Sequence, residues 1–226
     1  MKRLEEIELR NPEWAPWLAI IGEVLAEIGN RDWDEVVPAH LAWTDDEAPL
    51  LAGAALPELR PLEALYRRLA SRVPGEELRE AIALIAPMPF LHACRRRFAD
   101  ALPASWSRGY CPICGRWPAL AEVCGVERLR YLRCGACGAA WRAAALSCAY
   151  CGATDHHTLG GLVAESGDKR AAIETCAACR GYLKCFSRLS AGAPAEVMLE
   201  DLASVELDLA AAGRGYARPE SPGYPR

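Results

Sequence analysis

Apolar positions at helical spacing run through the first hundred residues. Asn11 reads as an N-cap with Pro12 at the first helical position. Trp14, Trp17, Leu18, Ile21, Leu25 and Ile28 then recur at three- and four-residue intervals until Gly29-Asn30 stops the pattern. A weaker helix is predicted around Val36 to Trp43, interrupted by Pro38, and a clearer one carries Leu62, Leu65, Tyr66, Leu69 and Val73. Glu76 to Ala86 predicts another, and after the Pro87-Met88-Pro89 break a last helix runs from about Phe90 to Leu102. These Leu and Trp stripes are read as core.

From Pro103 the period shortens and Gly and Cys punctuate the chain. Leu129 to Arg133, Ala139 to Leu146, Leu159 to Val163, Ala171 to Thr175 and Tyr182 to Leu189 are strand-like runs. After Pro194 the helical period returns, and Met198, Leu202, Val205 and Leu209 predict a final amphipathic helix ending at Gly213. The fold class is therefore α+β. The predicted organisation is a helical domain at 1–104, a first four-cysteine ribbon at 105–147, a second at 148–190, a C-terminal helix at 194–213 and a tail at 214–226.

Composition narrows the function classes. With 226 residues, 52% of them hydrophobic, the chain is too apolar to be disordered throughout and long enough for one large or two smaller cores. No secretory signal opens the sequence and no apolar run reaches the roughly 18 residues of a membrane span, so a cytoplasmic protein is expected. Regularly spaced cysteines in a reducing compartment point to metal ligands rather than disulfides. Ten of the eleven cysteines lie in residues 105–188, which also carry 11 Lys and Arg against 6 Asp and Glu. Four thiolates around a divalent ion leave about two negative charges, so two such sites bring that basic segment close to neutral.

The chemistry lies in four CxxC pairs: Cys111/Cys114, Cys134/Cys137, Cys148/Cys151 and Cys176/Cys179. Two residues between cysteines let one tight turn aim both sulfurs at one ion, and two such turns complete a tetrahedron. Gly115, Gly138 and Gly152 follow the first three pairs, where a left-handed residue turns backbone N–H groups toward the sulfurs. Arg180 takes that place after the fourth. The first and second pairs are separated by 19 residues and the third and fourth by 24, which favours sequential pairing into two sites. The second and third, 10 apart, could also pair, leaving the first to meet the fourth across 61 residues. Four cysteines close the coordination sphere, so the sites are structural, or carry electrons if the ion is iron. Zinc and iron both accept this donor set.

Other residues receive blander readings. Cys94, beside Arg95 to Arg97, is read as buried packing, and Cys124 and Cys185 are likewise outside the pairs. His156 and His157 are read as a solvated loop pair. Trp106, Trp117, Tyr131, Trp141 and Tyr150, interleaved with arginines, are read as closing the ribbon cores rather than as a nucleic-acid surface.

The ordered strings GYCPICG, RYLRCGACGAAW, CAYCG, IETCAACRGYLK and EDLASVELDLAAAGRGYAR, from about Gly109 to Arg218, resemble the formate dehydrogenase accessory protein family, FdhE. The resemblance implies a helical domain followed by two tandem rubredoxin-like zinc-ribbon modules. It also implies a non-catalytic cytoplasmic factor for assembly or activation of a molybdenum- or tungsten-dependent formate dehydrogenase, binding its catalytic subunit. Carried over by position, the eight knuckle cysteines would hold two ions, zinc or iron, and Asp201 and Tyr216 would serve partner contact or packing. The alternatives are a rubredoxin-like iron electron carrier and, third, a zinc-ribbon protein that binds nucleic acid.

Overall fold

The computed structural model describes residues 32–43, 48–53, 85–163, 170–220 and 223–224, together with Ala26, Ala64, Arg67, Ser71 and Arg79. Helix α1 (Trp33–Val36) is capped by the Asp32 side chain, which accepts from the Asp34 N–H at 3.0 Å. It stops at Val37, so the helix predicted over Val36 to Trp43 does not form. Pro38 lacks an N–H and holds the preceding residue extended, and Val37 sits at φ −71°, ψ 119°. A 3₁₀ turn follows at Leu50–Gly53. The helices predicted over 11–28, 62–73 and 76–86 lie outside the described residues, apart from the helical Ala26, Ala64, Arg67, Arg79 and Ile85. Helix α2 (Met88–Phe98) begins two residues earlier than predicted, because Pro89 falls in its first turn, where a missing N–H costs nothing. The 3₁₀ turn Ala99–Ala101 continues it.

Six strands form one sheet: β1 (Leu120–Cys124), β2 (Leu129–Arg133), β3 (Ala140–Arg142), β4 (Leu159–Val163), β5 (Ala171–Cys176) and β6 (Tyr182–Arg188), in the order β3-β2-β1-β6-β5-β4. Each half repeats the same unit, a knuckle, two antiparallel strands, a second knuckle and a third strand. The first strand of the first unit pairs in parallel with the last strand of the second, Leu120 opposite Lys184 and Glu122 opposite Phe186. The two ribbons are therefore fused edge to edge, which covers one edge of each. Strand β1 is absent from the sequence expectation. Its middle residue, Glu122, is charged yet 1% exposed, so the alternation that marks a half-buried strand is broken.

On one face of the sheet, Leu120, Lys184, Ile173 and Phe186 meet two short helices, α3 (Val197–Ala203) and α4 (Val205–Ala212), through Val197, Leu207 and Ala211. On the other face, Ala121, Leu132, Leu183 and Cys185 pack with Trp141, Trp106 and residues of α1, α2 and the 3₁₀ turn at Leu50–Gly53.

The expected single C-terminal helix is broken at Ser204, at φ −114° and ψ 34°, where the hydroxyl donates back to the Glu200 carbonyl at 2.7 Å. Of its predicted stripe, Met198 is half-buried but Leu202, Val205 and Leu209 are turned outward at 62, 55 and 69% exposure, beside Leu199 at 65%. Asp201 and Asp208 occupy the inward side instead, because Lys184, wholly buried on β6, has to be met by carboxylates. The described residues of the expected tail are built into the fold. The Tyr224 N–H donates to Gly115 O at 2.9 Å, and Ala217 bridges to Gly181.

Candidate metal centres

Three of the four knuckles are closed by the same two backbone bonds, and the fourth keeps one of them, from Cys176 N–H to Gly181 O. In the first, Gly115 N–H donates to Cys111 O and Cys111 N–H to Arg116 O; Gly138 with Cys134 and Gly152 with Cys148 repeat the pattern. The turn needs a left-handed residue, and Gly115, Gly138 and Gly152 have φ of 74, 71 and 72°. Arg180 adopts the same conformation at φ 58°. The missing glycine therefore left the turn intact.

The turns bring the sulfurs together in sequential order. Cys111, Cys114, Cys134 and Cys137 form one cluster and Cys148, Cys151, Cys176 and Cys179 another, with all ligand atoms of each within 4.8 Å of one another. The Sγ–Sγ separations of 3.5 Å for Cys111–Cys137 and Cys114–Cys134, 3.6 Å for Cys148–Cys179 and 3.7 Å for Cys151–Cys176 are close to those of a tetrahedron. Four sulfurs bound to one ion at about 2.3 Å would stand about 3.8 Å apart. All-sulfur donors in this geometry could hold zinc or iron.

The two clusters differ in cover. All four sulfurs of the first are on buried residues, whereas Cys151 and Cys179 of the second are exposed. The N-terminal elements make the difference. Leu50 and Leu51 N–H donate to Pro112 O and Ile113 O, the Trp43 indole donates to Pro112 O, and Ala93 and Cys94 of α2 pack there with no exposure. At the second cluster, Arg180 stacks 4.3 Å from the Tyr216 ring and donates to Arg214 O and Gly215 O. An edge-to-face chain of rings joins the ribbons, with Tyr110 and Trp117 at 6.1 Å and Trp117 and Tyr150 at 5.4 Å.

Two buried ion networks, not visible in the sequence pattern, hold the helices and the 189–193 segment against the sheet. In one, Lys184 Nζ donates to Asp208 Oδ2 at 2.9 Å and meets Asp201 Oδ1 at 2.6 Å. The Tyr182 hydroxyl donates to Asp208 Oδ1 at 2.7 Å, and Arg218 bridges Asp201 and Asp208 at 3.1 and 3.0 Å. Burial raises the Asp208 carboxyl, but hydrogen bonds from Lys184 and Tyr182 and the charge of Arg218 outweigh it and hold the group below its ordinary range. In the other, Glu122 pairs with Arg133 and Arg188 and accepts from Gly192 N–H at 3.0 Å. Asp201 and Tyr216, carried over for partner contact or packing, are thus engaged within the fold.

The remaining candidates are placed plainly. Cys94 is buried and burial pushes its thiol up to about 12; Cys185 is raised to about 12 by burial and by Glu174. Cys124 is half-buried on β1. His156 and His157 are exposed beside Asp155, their rings 3.9 Å apart. Trp106 and Trp141 are buried, with indole N–H groups donating to Tyr110 O and Arg108 O. Arg130, 4% exposed, forks onto Glu174 at 3.1 and 2.6 Å, while the buried Arg133 is held by Glu122 and Gly192 O. Two of the arginines interleaved with these aromatics are thus internal. Among the described residues, no helix is long and apolar enough to cross a membrane.

A sheet of two fused ribbons, each carrying a four-cysteine cluster, defines a tandem four-cysteine ribbon protein. Residues 146–222 match the family described as FdhE, C-terminal domain. A protein FdhE homolog of Pseudomonas aeruginosa is 31% identical over 211 residues, covering 80% of this chain and 65% of the relative. A protein FdhE of Escherichia coli O127:H6 is 34% identical over 220 residues, 93% of this chain and 60% of its own. The crystal structure of the FdhE protein from Pseudomonas aeruginosa superposes with a TM-score of 0.56 at 24% identity, covering 91% of this chain and 85% of that one, a likeness of fold. The chain is thus similar to FdhE proteins over most of its length. It spans 65% and 60% of the length of these two curated relatives.

Proposed function

We propose that this chain is a non-catalytic accessory factor for the assembly or activation of a molybdenum- or tungsten-dependent formate dehydrogenase, acting by binding its catalytic subunit in the cytoplasm. The observation that carries the reading is that the motif set shared with FdhE proteins forms one structural unit. The fourth knuckle, the sixth strand, the broken C-terminal helix and the Gly215-Tyr216-Ala217-Arg218 ending, all within the matched residues 146–222, are tied together by Arg180, Lys184 and Arg218. In this reading Cys111, Cys114, Cys134 and Cys137 hold one ion and Cys148, Cys151, Cys176 and Cys179 a second, zinc or iron, in rubredoxin-like ribbons at 105–147 and 148–190. A helical domain at 1–104 precedes them. A four-thiolate site has no open position for a substrate or an attacking water, which suits a binding protein better than a hydrolase. The ions would supply folding energy, on the order of 10 kcal/mol per site.

The test is co-purification. The tagged full chain should retain a formate dehydrogenase catalytic subunit when both are produced together, and failure to retain it contradicts the reading.

The exposed Cys151 and Cys179 favour a second reading, an iron electron carrier, because electron exchange needs a ligand edge open to a partner. Anaerobic purification with metal analysis separates the two. Zinc alone, with no visible thiolate-to-iron absorption, contradicts the carrier.

A further inference from the structure

Outside the two cysteine clusters, a third group of metal-ligating side chains converges among the described residues. Asp155, His156 and His157 each offer one donor atom, and the three lie within 4.8 Å of one another. His156 Nδ1 stands 3.9 Å from Asp155 Oδ1, and the two imidazole rings are 3.9 Å apart. Neighbouring residues on an extended strand point to opposite faces, so a turn has to gather these three. The Asp155 carbonyl accepts from the Thr158 N–H at 2.9 Å and from its hydroxyl at 2.8 Å, while Asp155 Oδ1 accepts from the His157 N–H at 2.9 Å. Both ends of the loop are fastened to the second ribbon. Cys148 N–H donates to Ala153 O at 2.8 Å and Ala177 N–H to Thr158 O at 2.7 Å. The backbone that carries the donors is therefore set before any ion arrives.

The donor set selects the ion. Two imidazoles with a carboxylate suit nickel, copper or zinc, whereas calcium and magnesium take oxygen ligands. Donors on one such ion at about 2.1 Å stand about 3.0–3.4 Å apart, so these have to close by up to about 1.5 Å. All three residues are exposed, and rotation about their side-chain bonds supplies that movement. Among the described residues, the ion-pair partner of Asp155 is His156 and no Lys or Arg, so its charge is available to a cation. We propose that Asp155, His156 and His157 form a third metal site, which takes a divalent nickel, copper or zinc ion on two imidazoles and one carboxylate. Three protein ligands leave coordination positions open, so this ion exchanges with solution, unlike one enclosed by four thiolates. The site does not depend on the accessory reading.

The test titrates Ni²⁺ into the full chain with both cysteine centres filled with zinc. One Ni²⁺ per chain should bind, saturating below about 100 µM, with the zinc retained. His156→Ala with His157→Ala should weaken binding at least about tenfold at unchanged melting temperature and zinc content, because both rings are exposed. Asp155→Asn keeps an acceptor for the His157 N–H and removes the charge, so it should weaken binding without loosening the turn. Equal binding by wild type and the double histidine variant would be an adventitious ion on other groups and overturns the site. No binding by wild type overturns it as well. So does nickel taken up only as zinc leaves, since the ion then sits on the cysteine sulfurs.

Discussion

Arg180 lies 4.3 Å beneath the Tyr216 ring, and its guanidinium caps the carbonyls of Arg214 and Gly215. It thus closes a knuckle turn in a conformation that suits glycine and, with the same residue, fastens the end of the chain. Arg180→Gly should relieve about 1 kcal/mol of backbone strain but lose the cap and the stacking. The expected result is two ions retained, a melting temperature unchanged or lower by about 2–4 °C, and faster hydrogen exchange at the Ala217 N–H. Exchange unchanged from wild type would show that the clamp is not what holds the ending.

The two centres should release their ions at different rates. A chelator can reach the sulfurs of the exposed Cys151 and Cys179, whereas all four residues of the first cluster are buried. Chelator titration of the metal-loaded chain should remove one ion quickly and the other only with unfolding. Cys148→Ser should abolish the fast phase and Cys111→Ser the slow one. A single phase, or loss of the slow phase in Cys148→Ser, contradicts this.

Acid should act through Asp208. Its carboxyl is held below the ordinary range in the fold, so it contributes stability above the unfolded value near 3.9 and loses it as pH falls through the lower folded value. Asp208→Asn leaves Lys184 short of one partner and should cost about 3 kcal/mol at neutral pH. The gap between wild type and variant in denaturant titrations should stay constant down to about pH 4 and narrow below it. A gap independent of pH down to pH 2 would remove Asp208 from the network's energetics.

Gly138 and Gly152 share a left-handed backbone but not their surroundings. A Cβ on Gly152 meets nothing within 4 Å, while one on Gly138 would stand 2.4 Å from Pro194 O. Gly152→Ala should cost about 1 kcal/mol from backbone strain alone. Gly138→Ala should cost distinctly more, because the backbone leading into α3 has to move. Equal losses in thermal melts would contradict the close approach.

The sulfur clusters were legible because CxxC spacing is a local property and loop closure favours near partners; sequential pairing follows from it. Strands β2 and β4 match their predicted limits because Leu129–Arg133 and Leu159–Val163 are bounded by turn residues or cysteines. Strand β1 was hidden by Glu122, whose partners Arg133 and Arg188 lie on other strands. The final helix was misread for a related reason. Leucine periodicity predicts a buried stripe only when the sheet beneath is apolar, and Lys184 makes this one demand carboxylates. Charges that find partners across the sheet leave no trace in hydrophobic period, and for the same reason the parallel seam between β1 and β6 could not be read from either strand alone.

The accessory role is tested most directly by formate oxidation in the source organism after deletion of this chain. The account predicts loss of molybdenum- or tungsten-dependent formate dehydrogenase activity with the catalytic subunit still synthesised. Wild type should restore it. Normal formate oxidation in the deletion strain would contradict it.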